Sequence, residues 1–211
     1  MYLTSTRSTL QEIFMKTSSL RRSVLTAAIL LALPLAGLAQ TSTWTIDPAH
    51  SSAGFAIRHA GVSTVHGTFY KVGGTVTWDD KDVTKSAVDA TIDTTTVSTG
   101  MEARDNHLKS PDFFEVAKYP TMTFKSTSVT KSGDGLKVTG DFTMHGVTKS
   151  VTLDVTDISP VTENAMKKGT YSRGLTATTT VNRHDFGVNG GMADAMLGND
   201  VKVTIELEIH K

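Results

Sequence analysis

A carboxylate, an imidazole and a hydroxyl fall within one short stretch at Asp47, His50 and Ser51. These are the side-chain types that a hydrolase uses as orienting acid, general base and nucleophile. His50 and Ser51 are adjacent, however, and neighbours on a strand point to opposite faces, so the spacing argues against a working triad. The other histidines, His59, His66, His107, His145, His184 and His210, are dispersed along the chain. No pair has the i,i+4 spacing of helical metal ligands and there is no cysteine to join them, so no metal site is expected. Two further polar clusters stand out, Arg104-Asp105-Asn106-His107 with Lys109 and Asp112, and Asn182-Arg183-His184-Asp185. Neither brings together nucleophile, base and acid. Their charges are expected to cap and pin a segment by ion pairing and backbone hydrogen bonds. No catalytic residue is expected, and the protein reads as a non-enzyme.

The elements that carry these residues begin after a leader. Arg21 and Arg22 precede the apolar run from Val24 to Leu33, Pro34 breaks it, and Gly37 and Ala39 stand three and one residues before Gln40. That order is a secretory signal over residues 1–39, with Met15, followed by Lys16, as a second candidate start. The run is short for a bilayer span, and no cysteine follows it to carry an acyl anchor, so no stable membrane anchor is expected. What remains, residues 40–211, is long enough for one domain with a real core. From Gln40 onward 17 basic residues face 20 acidic ones. A slightly negative chain with scattered signs does not suit nucleic acid or an anionic membrane surface.

Across this domain the apolar period is close to two. Phe55, Ile57 and His59 share one parity, as do Val76 and Trp78, then Val88, Ala90 and Ile92. Leu136, Val138, Gly140, Phe142 and Met144 follow, and the chain closes on Val201, Val203, Ile205, Leu207 and Ile209. One apolar face per strand is the half-buried antiparallel pattern. Turn signals at Gly73-Gly74, Asp79 to Asp82, Ser132 to Gly135 and His145-Gly146 separate about eight strands. Eight such strands form a sandwich or a closed barrel, and a barrel of this size has room for one small ligand. Small inward residues at Gly67, Ala90, Gly140 and Ala177 leave volume in the lumen, unless the glycines mark bulges or tight bends.

Six motifs in order carry a resemblance. Trp44-Thr45-Ile46-Asp47-Pro48-Ala49-His50-Ser51 opens the domain, and Phe55-Ala56-Ile57-Arg58-His59 leads into Val65-His66-Gly67-Thr68-Phe69. Arg104 to Ser110 with Asp112-Phe113-Phe114 follows, then Tyr119-Pro120-Thr121-Met122-Thr123-Phe124. Gly140-Asp141-Phe142-Thr143-Met144-His145-Gly146 and Asn182-Arg183-His184-Asp185-Phe186-Gly187 complete the set. Together they resemble the YceI-like family of bacterial periplasmic proteins, from Trp44 to Ile209. The resemblance implies an all-β, eight-stranded, lipocalin-like antiparallel barrel with a short helical or loop insertion near residues 101–117. It implies a periplasmic protein, often a homodimer, that holds a long-chain isoprenoid such as a prenyl quinone or polyprenyl diphosphate. Some members hold fatty-acid amides instead. One departure is Phe142-Thr143 where Leu-Thr is usual, which adds bulk facing the lumen.

A polyprenyl tail has no hydrogen-bonding groups, so an apolar wall suffices to hold it, at about 0.8 kcal/mol per buried methylene. The expected lipid-contacting residues are Phe55, Ile57, Phe69, Val76, Ile92, Phe113, Phe114, Phe124, Phe142, Leu153 and Ile205. Arg104, His107 and His59 are the candidate donors to a head group. The lipid itself is the expected ligand and no cofactor is called for. A fatty acid or its amide is the second reading, and an enzyme acting on such a lipid the third.

Overall fold

The computed structural model describes residues 41–211; the leader expected over residues 1–39 lies outside them. The strands are β1 (Thr41–Ile46), β2 (Ser52–His59), β3 (Ser63–Phe69), β4 (Val72–Asp79), β5 (Ala87–Asp93) and β6 (Thr121–Ser132). Then come β7 (Gly135–Met144), β8 (Val147–Thr156), the two-residue β9 (Thr162–Glu163), β10 (Tyr171–Asn182) and β11 (Leu197–His210). The one α-helix among the described residues, α1 (Glu102–Lys109), sits in the long connection between β5 and β6. All pairings are antiparallel.

These segments make an eight-stranded closed barrel. β1 and β2 form one stave broken at residues 47–51, since both run antiparallel to β11 along the same edge. β3 and β4 form the next, pairing with β2 and β1 in turn. The remaining long strands follow in chain order, and β11 closes the circle. It pairs with β10 from Asp200 to His210 on one side. On the other it meets β2 through Leu197–Glu206 and β1 at Ile209 and His210. At the break Asp47 N donates to Glu208 O at 2.8 Å. Glu208 N in turn donates to Ser51 Oγ at 3.0 Å. The Ser51 hydroxyl thus replaces a missing ladder carbonyl, which explains a buried serine in an apolar neighbourhood.

The two ends of the barrel differ. Where β1 and β10 begin, Trp44, Ile46 and Ile209 are almost fully buried. There the Arg173 guanidinium stacks 4.4 Å from the Trp78 ring. The opposite end carries α1, the β2–β3 and β7–β8 hairpins and the loop from Arg183 to Met196. Arg183, only 2% exposed, holds that loop together. Its Nε donates to Gly198 O at 3.0 Å and its Nη1 to Val188 O at 3.1 Å and Asn189 O at 2.6 Å. Its Nη2 reaches Leu197 O at 3.1 Å and Asn199 Oδ1 at 3.2 Å. A buried guanidinium is tolerated because its donors are satisfied, and the pinning role read for this motif holds. The thinnest seam lies between β8 and β10, where only Asp154–Thr156 pair with Thr176–Thr178. Beyond them Lys149–Thr152 and Thr179–Asn182 flank a cleft in the wall.

The small inward residues divide into two kinds. Ala90 and Ala177 line open space. Gly67 and Gly140 do not, contrary to the volume expected of them. A Cβ on Gly67 would stand 2.2 Å from the Phe55 ring, and one on Gly140 would stand 2.6 Å from the Phe124 ring. Each glycine gives its room to an aromatic side chain from a neighbouring strand. Gly140 also faces a register shift between Ser126 and Ser128, with the Lys125 carbonyl 2.6 Å from the added Cβ. Both alanine variants are expected to lose stability through overpacking, by about 1–3 kcal/mol. Gly140→Ala should lose more, because a ring can swing into the lumen and a strand carbonyl cannot. Thermal or urea unfolding of the two variants measures the order.

Candidate functional site

The inward faces enclose a cavity of about 460 Å³, within the range of small-molecule sites. Its wall is hydrocarbon. Every position expected to touch a ligand lies on it: Phe55, Ile57 and His59 from β2, Phe69 from β3, Val76 from β4 and Ile92 from β5. Phe124, Phe142, Leu153 and Ile205 come from β6, β7, β8 and β11, Arg104 and His107 from α1, and Phe113 and Phe114 from the turns after it. The same parity puts Trp78, Met122, Leu136 and Val138 there. Val188 and Met192 also reach the wall, from a glycine-rich loop whose sequence has no alternation to announce them. The extra bulk at Phe142 is taken up edge-on against Phe186 at 5.3 Å.

Aromatic contacts dock the helical insertion on the barrel. Phe114 meets Phe69 edge-on at 5.2 Å and Phe69 in turn lies 5.6 Å from Phe55. Phe113 is 6% exposed, and its ring packs so closely on Gly190 that a Cβ there would come within 2.4 Å. Gly190 N donates to Asp112 O at 2.8 Å. The insertion and the Arg183–Met196 loop are thereby tied together over one end of the lumen.

The charged and imidazole groups of the cavity stand at this end. Arg104 and Asp105 were expected to pin the insertion by ion pairing and backbone hydrogen bonds; the hydrogen bonds are present, and both side chains make them to Thr99. Arg104 Nε donates to Thr99 Oγ1 at 2.7 Å and Nη2 to Thr99 O at 3.0 Å. Asp105 Oδ1 accepts from Thr99 N at 2.7 Å and from Thr99 Oγ1 at 2.5 Å. Burial pushes the Asp105 carboxyl up, but the two Thr99 hydrogen bonds and nearby Lys109 outweigh it and hold it below the usual range. His107 Nε2 lies 3.1 Å from Asp112 Oδ2, with its ring edge-on to Phe113. His59 is exposed. Behind them, His184 places Nε2 2.9 Å from both Asp194 Oδ1 and Asn199 Oδ1, and Nδ1 2.6 Å from Asn189 Oδ1. Its hydrogen bond to Asp194 raises the imidazole above its ordinary pKa.

The Asp47, His50, Ser51 cluster is no triad. The Ser51 hydroxyl is spent on the Glu208 backbone, and the His50 ring turns to Asp47. Sequence spacing did not foresee that His210 arrives beside them on β11, with Nε2 3.3 Å from Asp47 Oδ2 and 3.1 Å from Glu208 Oε1.

Residues 44–209 match the YceI-like domain. The chain is 39% identical over 173 residues to Protein YceI of Escherichia coli O17:K52:H18, covering 81% of this chain and 89% of that one. To the UPF0312 protein SA2479 of Staphylococcus aureus it is 39% identical over 171 residues, covering 79% and 96%. The crystal structure of the Campylobacter jejuni YceI protein superposes with a TM-score of 0.64 at 31% identity, over 74% of this chain and 90% of that one. A polyisoprenoid binding domain from Saccharophagus degradans, implicated in plant cell wall breakdown, shares the fold at a TM-score of 0.54 and 16% identity, over 79% and 97%.

The Thr99 anchor gives a pH-dependent expectation. Asp105→Ala removes two hydrogen bonds to a carboxylate and should destabilise by about 1–3 kcal/mol at neutral pH. Because the folded-state pKa is depressed, this stabilisation is present above 3.8, the ordinary value, and is lost as pH falls through the lowered one. Melting curves of wild type and variant should therefore converge in acid; a gap that persists there would assign the loss to packing.

Proposed function

The chain belongs to the YceI-like family, and from that premise and its lumen we propose that it binds and carries a long-chain isoprenoid lipid, a prenyl quinone or polyprenyl diphosphate. The observation that carries this reading is an apolar cavity of about 460 Å³ whose charged and imidazole groups, Arg104, His107, His59 and Arg183, all belong to one end. A hydrocarbon tail loses nothing by leaving water for such a wall, whereas a polar chain would forfeit its hydrogen bonds there. Binding must still overcome the lost freedom of a flexible tail, which favours a long ligand that buries many methylenes. The head group then remains at the mouth. Arg104 spends Nε and Nη2 on Thr99, and among the described residues its Nη1 has no hydrogen-bond partner. A diphosphate or a quinone carbonyl would accept from it, with His107 and His59 alongside.

No catalytic step and no cofactor belongs to this reading; the lipid is the ligand. No helix among the described residues is long and apolar enough to cross a membrane. With the leader removed before Gln40, the same reading makes the mature protein a soluble periplasmic homodimer.

Organic extraction and mass spectrometry of protein purified from the periplasmic fraction, without added lipid, test the proposal. A ladder of species differing by whole isoprene units is expected. Fatty acids or their amides in stoichiometric amount would replace the isoprenoid by the second ligand class, and no lipid at all would overturn the carrier reading.

A further inference from the structure

The barrel's outer wall carries a second group of convergent side chains, unconnected with the lumen. On β11 the odd positions Ile205, Leu207 and Ile209 face inward, so Glu208 and His210 face outward. Across the ladder Ile46 pairs with Ile209, which brings Asp47 opposite Glu208 just where β1 stops. Two carboxylates opposed on a ladder repel each other, and the fold brings two imidazoles to them.

The geometry is that of a ligand set. Donor atoms of Asp47, His50 and Glu208 all lie within 4.8 Å of one another. His210 Nε2 stands outside that mutual set but beside both carboxylates, 3.3 Å from Asp47 Oδ2 and 3.1 Å from Glu208 Oε1, so a shared cation requires the exposed His50 ring to turn toward it. Four bonds of about 2.0–2.1 Å directed tetrahedrally put donor atoms about 3.3 Å apart. The individual orientations point the same way. Asp47 Oδ1 is held by Ala49 N at 2.9 Å, leaving Oδ2 toward the histidines. His50 Nδ1 lies 2.6 Å from that oxygen, in a hydrogen bond whose proton a cation would replace. His210 Nε2 is buried and makes no hydrogen bond despite its two carboxylate neighbours. It is near enough for attraction and not aligned to donate. The other ring nitrogen, Nδ1, lies 3.5 Å from Ser172 Oγ, the outer-shell contact that typically orients a ligating imidazole. The group is also open to solution, with His50 65% exposed and Glu208 36%.

We propose that Asp47, His50, Glu208 and His210 form a site for one divalent cation of the zinc class. Two imidazoles among the donors favour zinc and its first-row neighbours over magnesium or calcium, which take oxygen ligands. The cation would neutralise the opposed carboxylates and clamp the break in the first stave to the end of β11. The bland account of the same contacts is a proton-bridged network in which His50 and His210 are simply charged partners of Asp47 and Glu208, and it requires no metal.

The test is zinc titration by calorimetry of the tag-free mature protein after chelation, with thermal unfolding on the same samples. One zinc per chain and a raised melting temperature are expected. Even outer-shell partners are typically worth 10–100-fold in affinity, so His210→Gln and His50→Gln should each weaken binding by about tenfold or more. His184→Gln, at the far end of the barrel, should leave it unchanged. Should His210→Gln fail to fold, His50→Gln carries the test, since its ring is mostly in solvent. Absence of zinc binding to the wild type would overturn the site in favour of the proton network. Zinc binding that survives both variants undiminished would overturn it as well. Neither outcome depends on what the lumen holds.

Discussion

Closure at β11 is the constraint on which the rest of the structure depends. An open eight-stranded antiparallel sheet leaves two edges of unpaired N–H and C=O groups and one apolar face without a cover. Closing it satisfies both at once, provided one strand is long enough to serve two neighbours. β11 does so over fourteen residues, pairing with β10 along one edge and with the broken first stave along the other. The break costs ladder bonds, and the Ser51 hydroxyl restores one of them. With the circle closed, every inward side chain faces another across the lumen, and the described residues supply no further layer with which to fill the middle.

What keeps that middle open is where the bulk goes. Phenylalanines that would otherwise extend across the lumen lie over glycines of adjacent strands, Phe55 on Gly67 and Phe124 on Gly140. Others stack along the wall, from Phe55 through Phe69 to Phe114. Polarity is sorted by end. The end near Trp44 and Ile209 is packed with large apolar residues, with the Arg173 guanidinium stacked on Trp78. At the other, Arg183 binds the loop between β10 and β11, and Thr99 binds α1. A guanidinium in each place is spent largely on backbone carbonyls and hydroxyls, so it holds loops in position around an apolar space without introducing a bare charge to it.

Strand parity was legible because one face of each strand is buried and the side-chain period is two. It placed Ile57, Phe124, Leu153 and Ile205 on the inner wall; Phe113 and Phe114 were expected only as lipid contacts, and their docking of the insertion was not foreseen. The function of single small residues was not legible. Ala90 and Gly67 look alike in an alternating pattern, and only the neighbouring strand's side chain decides whether the space is filled. That Arg104 and Asp105 pin the insertion through backbone hydrogen bonds was legible, but their partner was not: Thr99 precedes the helix and has no distinguishing pattern. Val188 and Met192 reach the wall from a loop without periodicity. His50 and His210, 160 residues apart, converge on Asp47, an arrangement set by the register of β1 on β11 and by nothing in local spacing.

The central claim is that the lumen is a ligand space and not an ordinary core, and Ile57→Glu tests it most directly. Ile57 lies on the cavity wall and pairs with Val201 and Val65 on the adjoining strands. In a filled core a carboxylate there would have neither partner nor solvent and would unfold the barrel. In a ligand space, water enters with the charge, so circular dichroism should show the folded barrel while lipid extracted from the same sample disappears. A folded variant that retains its lipid, or one that cannot fold at all, would contradict the account.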